Sequence, residues 1–199
     1  MHISEGVLNP NILIAGTVIS CGLLYIGFKK LDQEKLTLSA VLSALFFIAS
    51  FIHIPIGPTS VHLIMSGIIG AFLGFGVFVA IFVGLFLQAL LFGYGGLSVL
   101  GVNLLIIATP ALLSYFILFI KPKKLWQEKL IYFLAGSLPI VVSAFLLSLI
   151  LVLNGEEFYT VASVSFLSNI PIMIIEGLLV VLIFEFIKKV SPKILEKRC

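Results

Sequence analysis

Residues 63–94 read LIMSGIIGAFLGFGVFVAIFVGLFLQALLFGY, thirty-two positions without a charged side chain. One bilayer crossing needs about 20 apolar residues, so this run is too long for one span and barely long enough for two. How it is read fixes the number of crossings. The rest of the chain supplies the frame: 61% of its 199 residues are hydrophobic and 11% charged, too little polar surface to cover a water-soluble globule. The expected class is an all-α integral membrane protein, because the apolar runs are continuous and do not alternate as barrel strands would.

The charges orient the chain. All twelve Lys and Arg fall in three clusters: Lys29, Lys30 and Lys35; Lys121, Lys123, Lys124 and Lys129; Lys188, Lys189, Lys193, Lys197 and Arg198. The positive-inside rule places these three segments in the cytoplasm. Glu156 and Glu157 stand without a basic neighbour and read as an outer loop. No Lys or Arg precedes the first apolar run, so a basic signal-peptide start is missing and the N-terminus is expected outside, uncleaved.

Parity then divides residues 63–94. Helix 1 (about 12–28) enters the cytoplasm, helix 2 (about 37–52) returns, and helix 5 (about 101–120) must end inside at KPKKLWQEK. Residues 63–94 therefore lie between two outer points and must cross twice, with an inner turn at Gly74, Phe75 and Gly76. Helix 6 (about 130–153) goes out and helix 7 (about 167–187) comes back. The result is a seven-transmembrane-helix bundle, N-out and C-in, in a single domain, residues 1–199. It carries an outer N-terminal tail (1–11), an outer loop (53–62) and a basic cytoplasmic tail (188–199). Cys21 and Cys199 have no partner spacing for a disulfide or thiolate site and are expected to be inert.

This topology puts His2, His53 and His62 on one face. Pro55, Gly57 and Pro58 make the segment between the last two irregular, and such backbone is tolerated near membrane depth where it is buried in protein or lines a cavity. The start, Met1-His2, has a chemistry of its own. The terminal amine, the His2 amide nitrogen and imidazole Nδ1 can close two adjacent chelate rings around one metal. A histidine from elsewhere, such as His62, could fill the fourth corner. Planar four-nitrogen ligation suits Ni(II) or Cu(II), admits Co(II), and excludes Mg and Ca. Binding would displace the amide proton, so affinity should rise with pH.

Four segments, MHISEGVL, IPIGPTSVH, QALLFGYGGLSVLGVN and NIPIMIIEGLL with KKVSPKIL after it, together resemble the CbiM/NikM family, the cobalt- and nickel-binding S components of energy-coupling factor (ECF) transporters. The resemblance runs from Met1 to about Leu195. It implies a seven-helix S component whose extra first helix carries the N-terminus into a central cavity, with Met1, His2 and His62 as metal ligands. Tyr94 and Asn169 stand where many members have histidine; neither is an expected ligand. Ser60, Gln88 and Asn103 match polar positions of the family motifs and are expected to hydrogen-bond around the loop holding His62. Each could equally be a satisfied helix-packing residue.

Glu176, in mid-helix, is costly at membrane depth and so a functional candidate. It could shape the cavity electrostatically or accept backbone amides of a broken helix, the second being favoured, with a helix kink at Gly177. Glu5 could anchor the tail or be solvated. No P-loop occurs and no cytoplasmic segment is long enough for an ATPase, so the chain is expected to be non-catalytic and driven by partners. By resemblance these are a membrane T component, a pair of ABC ATPases and a small auxiliary membrane subunit, in a bacterial or archaeal cell membrane. Ser39 with Ser43 and Ala40 with Ala44 form small-residue pairs that could contact the T component or pack internally.

The expected cargo is Ni2+ or Co2+, captured from outside, with no organic cofactor and no nucleic acid; cobalamin synthesis is the use expected for cobalt. Two other classes compete. A vitamin-type S component would share the fold with incidental histidines, and an intramembrane metalloenzyme would show HExxH or a comparable pair, which this sequence lacks.

Overall fold

The computed structural model describes the backbone of residues 2–56 and 59–196, and side chains within those ranges except at 53–60 and 196. Nine α-helices and one hairpin follow in chain order among the described residues. They are α1 (Pro10–Lys30), α2 (Gln33–Ala49), β1 (His53–Ile56), β2 (Thr59–His62), α3 (Ser66–Leu73), α4 (Val77–Phe92), α5 (Leu100–Ile117), α6 (Leu125–Asn154), α7 (Tyr159–Ser168), α8 (Ile170–Val190) and α9 (Pro192–Glu196). Five stretches, 10–30, 66–92, 100–117, 125–154 and 156–190, are long and apolar enough to cross a membrane by length and composition. The protein is a multi-pass membrane protein.

Local chemistry sets the boundaries. Pro10 occupies the first turn of α1, where its missing N–H costs nothing, and Lys29 and Lys30 close the last turn, where cations suit the helix dipole. Residues 74–76 form a single 3-10 turn, entered at Gly74 with φ +54, a conformation glycine reaches without steric cost. α4 ends at Gly93 in the left-handed cap position, φ +67.

The turn at 74–76 lies at the lysine-bearing end of the bundle. Leu31, just past α1, packs on Gly76, and Tyr115, near the end of α5, packs on Gly74. At this end Lys188 also pairs with Glu128 at 2.7 Å. α4 then returns to the opposite end, where Phe92 meets Phe51 with ring centroids 4.9 Å apart. The run 63–94 thus reaches the lysine end and comes back, although its first leg is only the eight-residue α3 preceded by extended chain.

α3 is the buried centre of the bundle, packed against both α5 and α6. It approaches them backbone to backbone: a Cβ on Gly67 would sit 2.6 Å from the Ala135 carbonyl, and one on Gly70 would collide with that of Ala111. Pro139 inside α6 cannot donate to the Ala135 carbonyl, and Ser114 Oγ of α5 takes that role at 2.6 Å. Phe46, Phe78, Phe184, Ile69, Ile106 and Ile140 fill the core around this contact.

Three expectations change. Residues 53–56 and 59–62 pair as antiparallel strands, His53 opposite His62 and Ile56 opposite Thr59, in place of the irregular backbone expected; Gly57 and Pro58 lie outside the described residues. α8 is one continuous helix, Ile170–Val190, with no break at Gly177. The segment after Asn154, expected to be loop as far as 166, carries a 3-10 turn at Glu156–Phe158 and then α7. Its β-branched and serine-rich sequence is a weak helix former, and packing on α6 decides the outcome, with Ala162 buried and Ser148 Oγ bonded to its carbonyl at 2.9 Å.

Candidate metal centre

The N-terminal segment enters the histidine end of the bundle and is gripped along its backbone. Ile3 N–H donates to Asn103 Oδ1 at 2.9 Å, and Asn103 Nδ2 donates to the Ile3 carbonyl at 3.0 Å. One buried amide side chain thus pairs with the segment as a neighbouring strand would. Glu5 N–H donates to the Gly95 carbonyl at 2.8 Å, and Ser98 N–H donates to Glu5 Oε1 at 2.9 Å. That donation holds the exposed Glu5 carboxyl below its ordinary range. Further along, Asn154 Oδ1 accepts from Asn9 N–H at 2.7 Å, and its Nδ2 donates to the Val7 carbonyl at 2.8 Å. Ile3 and Leu8 are buried as apolar pegs between these polar grips.

This anchoring delivers His2 to His62. The rings stack with centroids 5.0 Å apart and planes 18° from parallel. His62 Nδ1 lies 2.9 Å from the Leu63 carbonyl, and a carbonyl only accepts, so this nitrogen carries the proton. His62 Nε2 then presents its lone pair, and it faces His2 Nδ1 at 3.2 Å. Desolvation, then the neighbouring charges, holds the His2 imidazole well below its ordinary range, in the neutral form a metal requires. Gln88 stands beside this ring, and its two amide atoms and His2 Nε2 are buried with no close hydrogen-bond partner among the described residues.

The pair opens onto a cavity of about 650 Å³. Tyr94 lies on its rim side, and Thr160, Ser165, Ser168 and Asn169 from the α7 segment form an uncharged polar wall. Asn169 Nδ2 is tied to the Ser165 carbonyl at 2.7 Å. Among the described residues, no three or more His, Cys, Asp or Glu side chains come together as a metal cluster.

The other expected residues are distributed as follows. Met1 and the side chain of Ser60 lie outside the described residues. Glu176 is fully buried away from the histidine rings and accepts from Ile64 N–H at 2.5 Å and Met65 N–H at 2.7 Å through Oε1. Those amides lead into α3, so the carboxylate meets the backbone of a half-length helix. Ser39 and Ser43 are buried, with Ser43 Oγ bonded to the Ser39 carbonyl at 2.9 Å, whereas Ala40 and Ala44 are exposed on the other side of α2. The two small-residue pairs therefore face different surroundings. Asn9, Asn154 and the wall residues Thr160, Ser165 and Ser168 did not stand out in the sequence. Asn154 precedes a glycine at a helix end and reads there as a simple terminator.

Residues 2–194 match the family described as cobalt uptake substrate-specific transmembrane region, CbiM. A Haemophilus influenzae protein named for metal transport is 36% identical over 201 residues, 99% of this chain and 98% of that protein. A cobalt transport protein CbiM of Clostridium tetani is 29% identical over 98% of this chain and 88% of its own length. A crystal structure of a transition metal transporter superposes with TM-score 0.75 at 24% identity, covering 96% of this chain and 93% of that one, and so shares its fold. The chain belongs to the CbiM family of cobalt-uptake substrate-specific membrane components.

Proposed function

We propose that this chain is the metal-capturing subunit of an ECF-type importer and takes Co2+ or Ni2+ from outside the cell. The observation that carries the reading is the His62 Nε2 lone pair facing His2 Nδ1 at 3.2 Å. Metal–nitrogen bonds of about 2.0 Å put neighbouring corners of a planar site about 2.8 Å apart, so the rings need to close by only a few tenths of an ångström. Two imidazoles leave two corners of a planar site to fill, and the Met1 amine and His2 amide, adjacent along the chain to the His2 ring, are the donors we assign to them.

The proton balance follows. The amine must be neutral and the amide deprotonated, so binding releases protons and affinity rises with pH. One amide anion against a divalent ion leaves a single positive charge in the cavity, which the uncharged wall of Thr160, Ser165, Ser168 and Asn169 can solvate. A planar four-nitrogen set favours Ni(II) over Co(II) in vitro, in line with the Irving–Williams order. Gln88 is placed to accept the Nε2–H of His2 once Nδ1 coordinates, which would fix the productive tautomer.

The membrane arrangement we propose is seven spans with the histidine end outside and the lysine end in the cytoplasm. The position of the 74–76 turn beside Leu31 and Tyr115 supports two crossings for residues 63–94. Transport would then require a membrane T component, a pair of ABC ATPases and a small auxiliary membrane subunit, which move the loaded subunit and expose the site inward. Exposed Ala40 and Ala44 on α2 are the candidate contact for the T component; buried Ser39 and Ser43 serve internal packing.

The test compares the purified chain with a variant carrying one residue before Met1, each loaded with Ni(II). The reading predicts about one metal and a planar-nickel visible band for the native start, and loss of both in the extended form. Equal binding by both forms would remove the amine from the site and favour a vitamin-type S component.

A further inference from the structure

Among the described residues the buried carboxyl of Glu176 has no cationic partner, and the salt bridge is Lys188–Glu128 at the lysine end. A polar group in such surroundings needs hydrogen bonds to be tolerated. It finds them 111 and 112 residues away in sequence, at Met65 and Ile64. These two amides come immediately after Leu63, whose carbonyl binds His62 Nδ1. The chain from His62 to Met65 is therefore held at both of its functions by one arm: the ring is oriented by the Leu63 carbonyl, and the peptide bearing that carbonyl is held by Glu176.

Met65 adds an independent sign that this segment is constrained. It has φ +58, the left-handed conformation, and no other non-glycine residue among those described has positive φ. Such a conformation is costly for a residue with a side chain and persists only where the surroundings over-determine it. The surroundings here are Glu176 on one side and the close backbone packing of α3 on the other, where α6 in turn meets α8 at Gly136 and the Glu176 carbonyl.

We propose that Glu176 is a positioning residue for His62: by clamping the amides of Ile64 and Met65 it holds the His62 imidazole aimed at His2, and it thereby ties metal ligation to α8. The inference rests on the reading of His62 as a ligand. It does not require Glu176 to touch the metal, and it assigns to the carboxylate an effect that packing alone would not have, the number of nitrogens around the ion. Gln at this position keeps an acceptor oxygen of the same reach, Asp shortens the arm by one methylene, and Leu removes the acceptor.

Cu(II) alone, added to the purified chain, reports the nitrogen count by electron paramagnetic resonance, and a competition titration reports affinity. Wild type and Glu176→Gln are expected to show four nitrogens. Glu176→Leu is expected to show three, with affinity weaker by roughly 10–100-fold, the range for groups that orient a ligand. Glu176→Leu added to His62→Ala is expected to cost nothing further, because the carboxylate acts through His62. Should Glu176→Leu fail to fold, as judged by its metal-free thermal transition, Glu176→Asp against Glu176→Gln decides, with Asp losing the His62 nitrogen and Gln keeping it. Four nitrogens and wild-type affinity in a folded Glu176→Leu or in Glu176→Asp, or a full additive loss in the double variant, would overturn the inference. If His62→Ala itself leaves four nitrogens, the ligand reading fails instead, and the two failures are thus distinguished.

Discussion

The two histidine-bearing segments are held in opposite ways. The segment leading to His2 is gripped by neutral amide side chains, Asn103 and Asn154, that pair with its backbone from α5 and α6. The segment leading to His62 is gripped by one buried carboxyl group, with its amides as the donors. The first arrangement is a row of modest, replaceable contacts spread over residues 3–9, suited to seating a chain terminus. The second is a single anchor at a strained residue, and removing it leaves a buried donor pair unsatisfied. Many modest grips distribute the cost of error; a single buried anchor concentrates it.

That contrast can be broken at graded points. His62→Ala should have the largest effect on metal binding, exceeding the roughly 10–100-fold typical of groups that only orient ligands, because a donor is lost outright; a competition titration with Ni(II) checks it. Asn103→Ala comes next. It strips partners from the Ile3 N–H and carbonyl, a loss of about 1–3 kcal/mol for each buried group left unpaired, and should weaken Ni(II) binding and lower the metal-free thermal transition. Asn103→Asp keeps the acceptor for Ile3 N–H and loses the donor to the Ile3 carbonyl, so it should fall between wild type and Asn103→Ala.

Asn154→Ala acts on residues 7 and 9, further from His2, and should weaken binding by about tenfold or less for hydrogen bonds worth ~1 kcal/mol net each. An affinity loss equal to that of Asn103→Ala would mean that the tail is held as one unit. Glu5 should give the smallest effect. Its folded-state pKa is depressed by the Ser98 amide, so its contribution is present above the ordinary carboxylate range and disappears as pH falls through the lowered value. Glu5→Gln should therefore loosen the tail slightly at neutral pH and remove any further loosening on acidification, read by hydrogen exchange of the tail amides.

Much of this architecture was legible in residues whose chemistry is local. The turn at Gly74, Phe75 and Gly76 could be placed because glycine spacing inside a run too long for one span has few other meanings. His2 and His62 could be paired through the family resemblance, since the start of the chain by itself left the fourth donor open to any histidine. The features that escaped depend on distant packing. Helix α7 forms from a segment with weak intrinsic preference because α6 offers it a surface. The division between buried Ser39 and Ser43 and exposed Ala40 and Ala44 is a matter of which way α2 is turned, and a periodic small-residue pattern does not say that. Asn154 pairs with residues 145 and 147 positions earlier, and nothing near it in sequence signals them.

The measurement that bears most directly on the metal centre is X-ray absorption at the nickel edge of the Ni(II)-loaded chain. The account predicts four nitrogens at about 2 Å or slightly less, two of them imidazoles, with one imidazole signature lost in His62→Ala. A six-coordinate shell rich in oxygen, unchanged by that substitution, would contradict it.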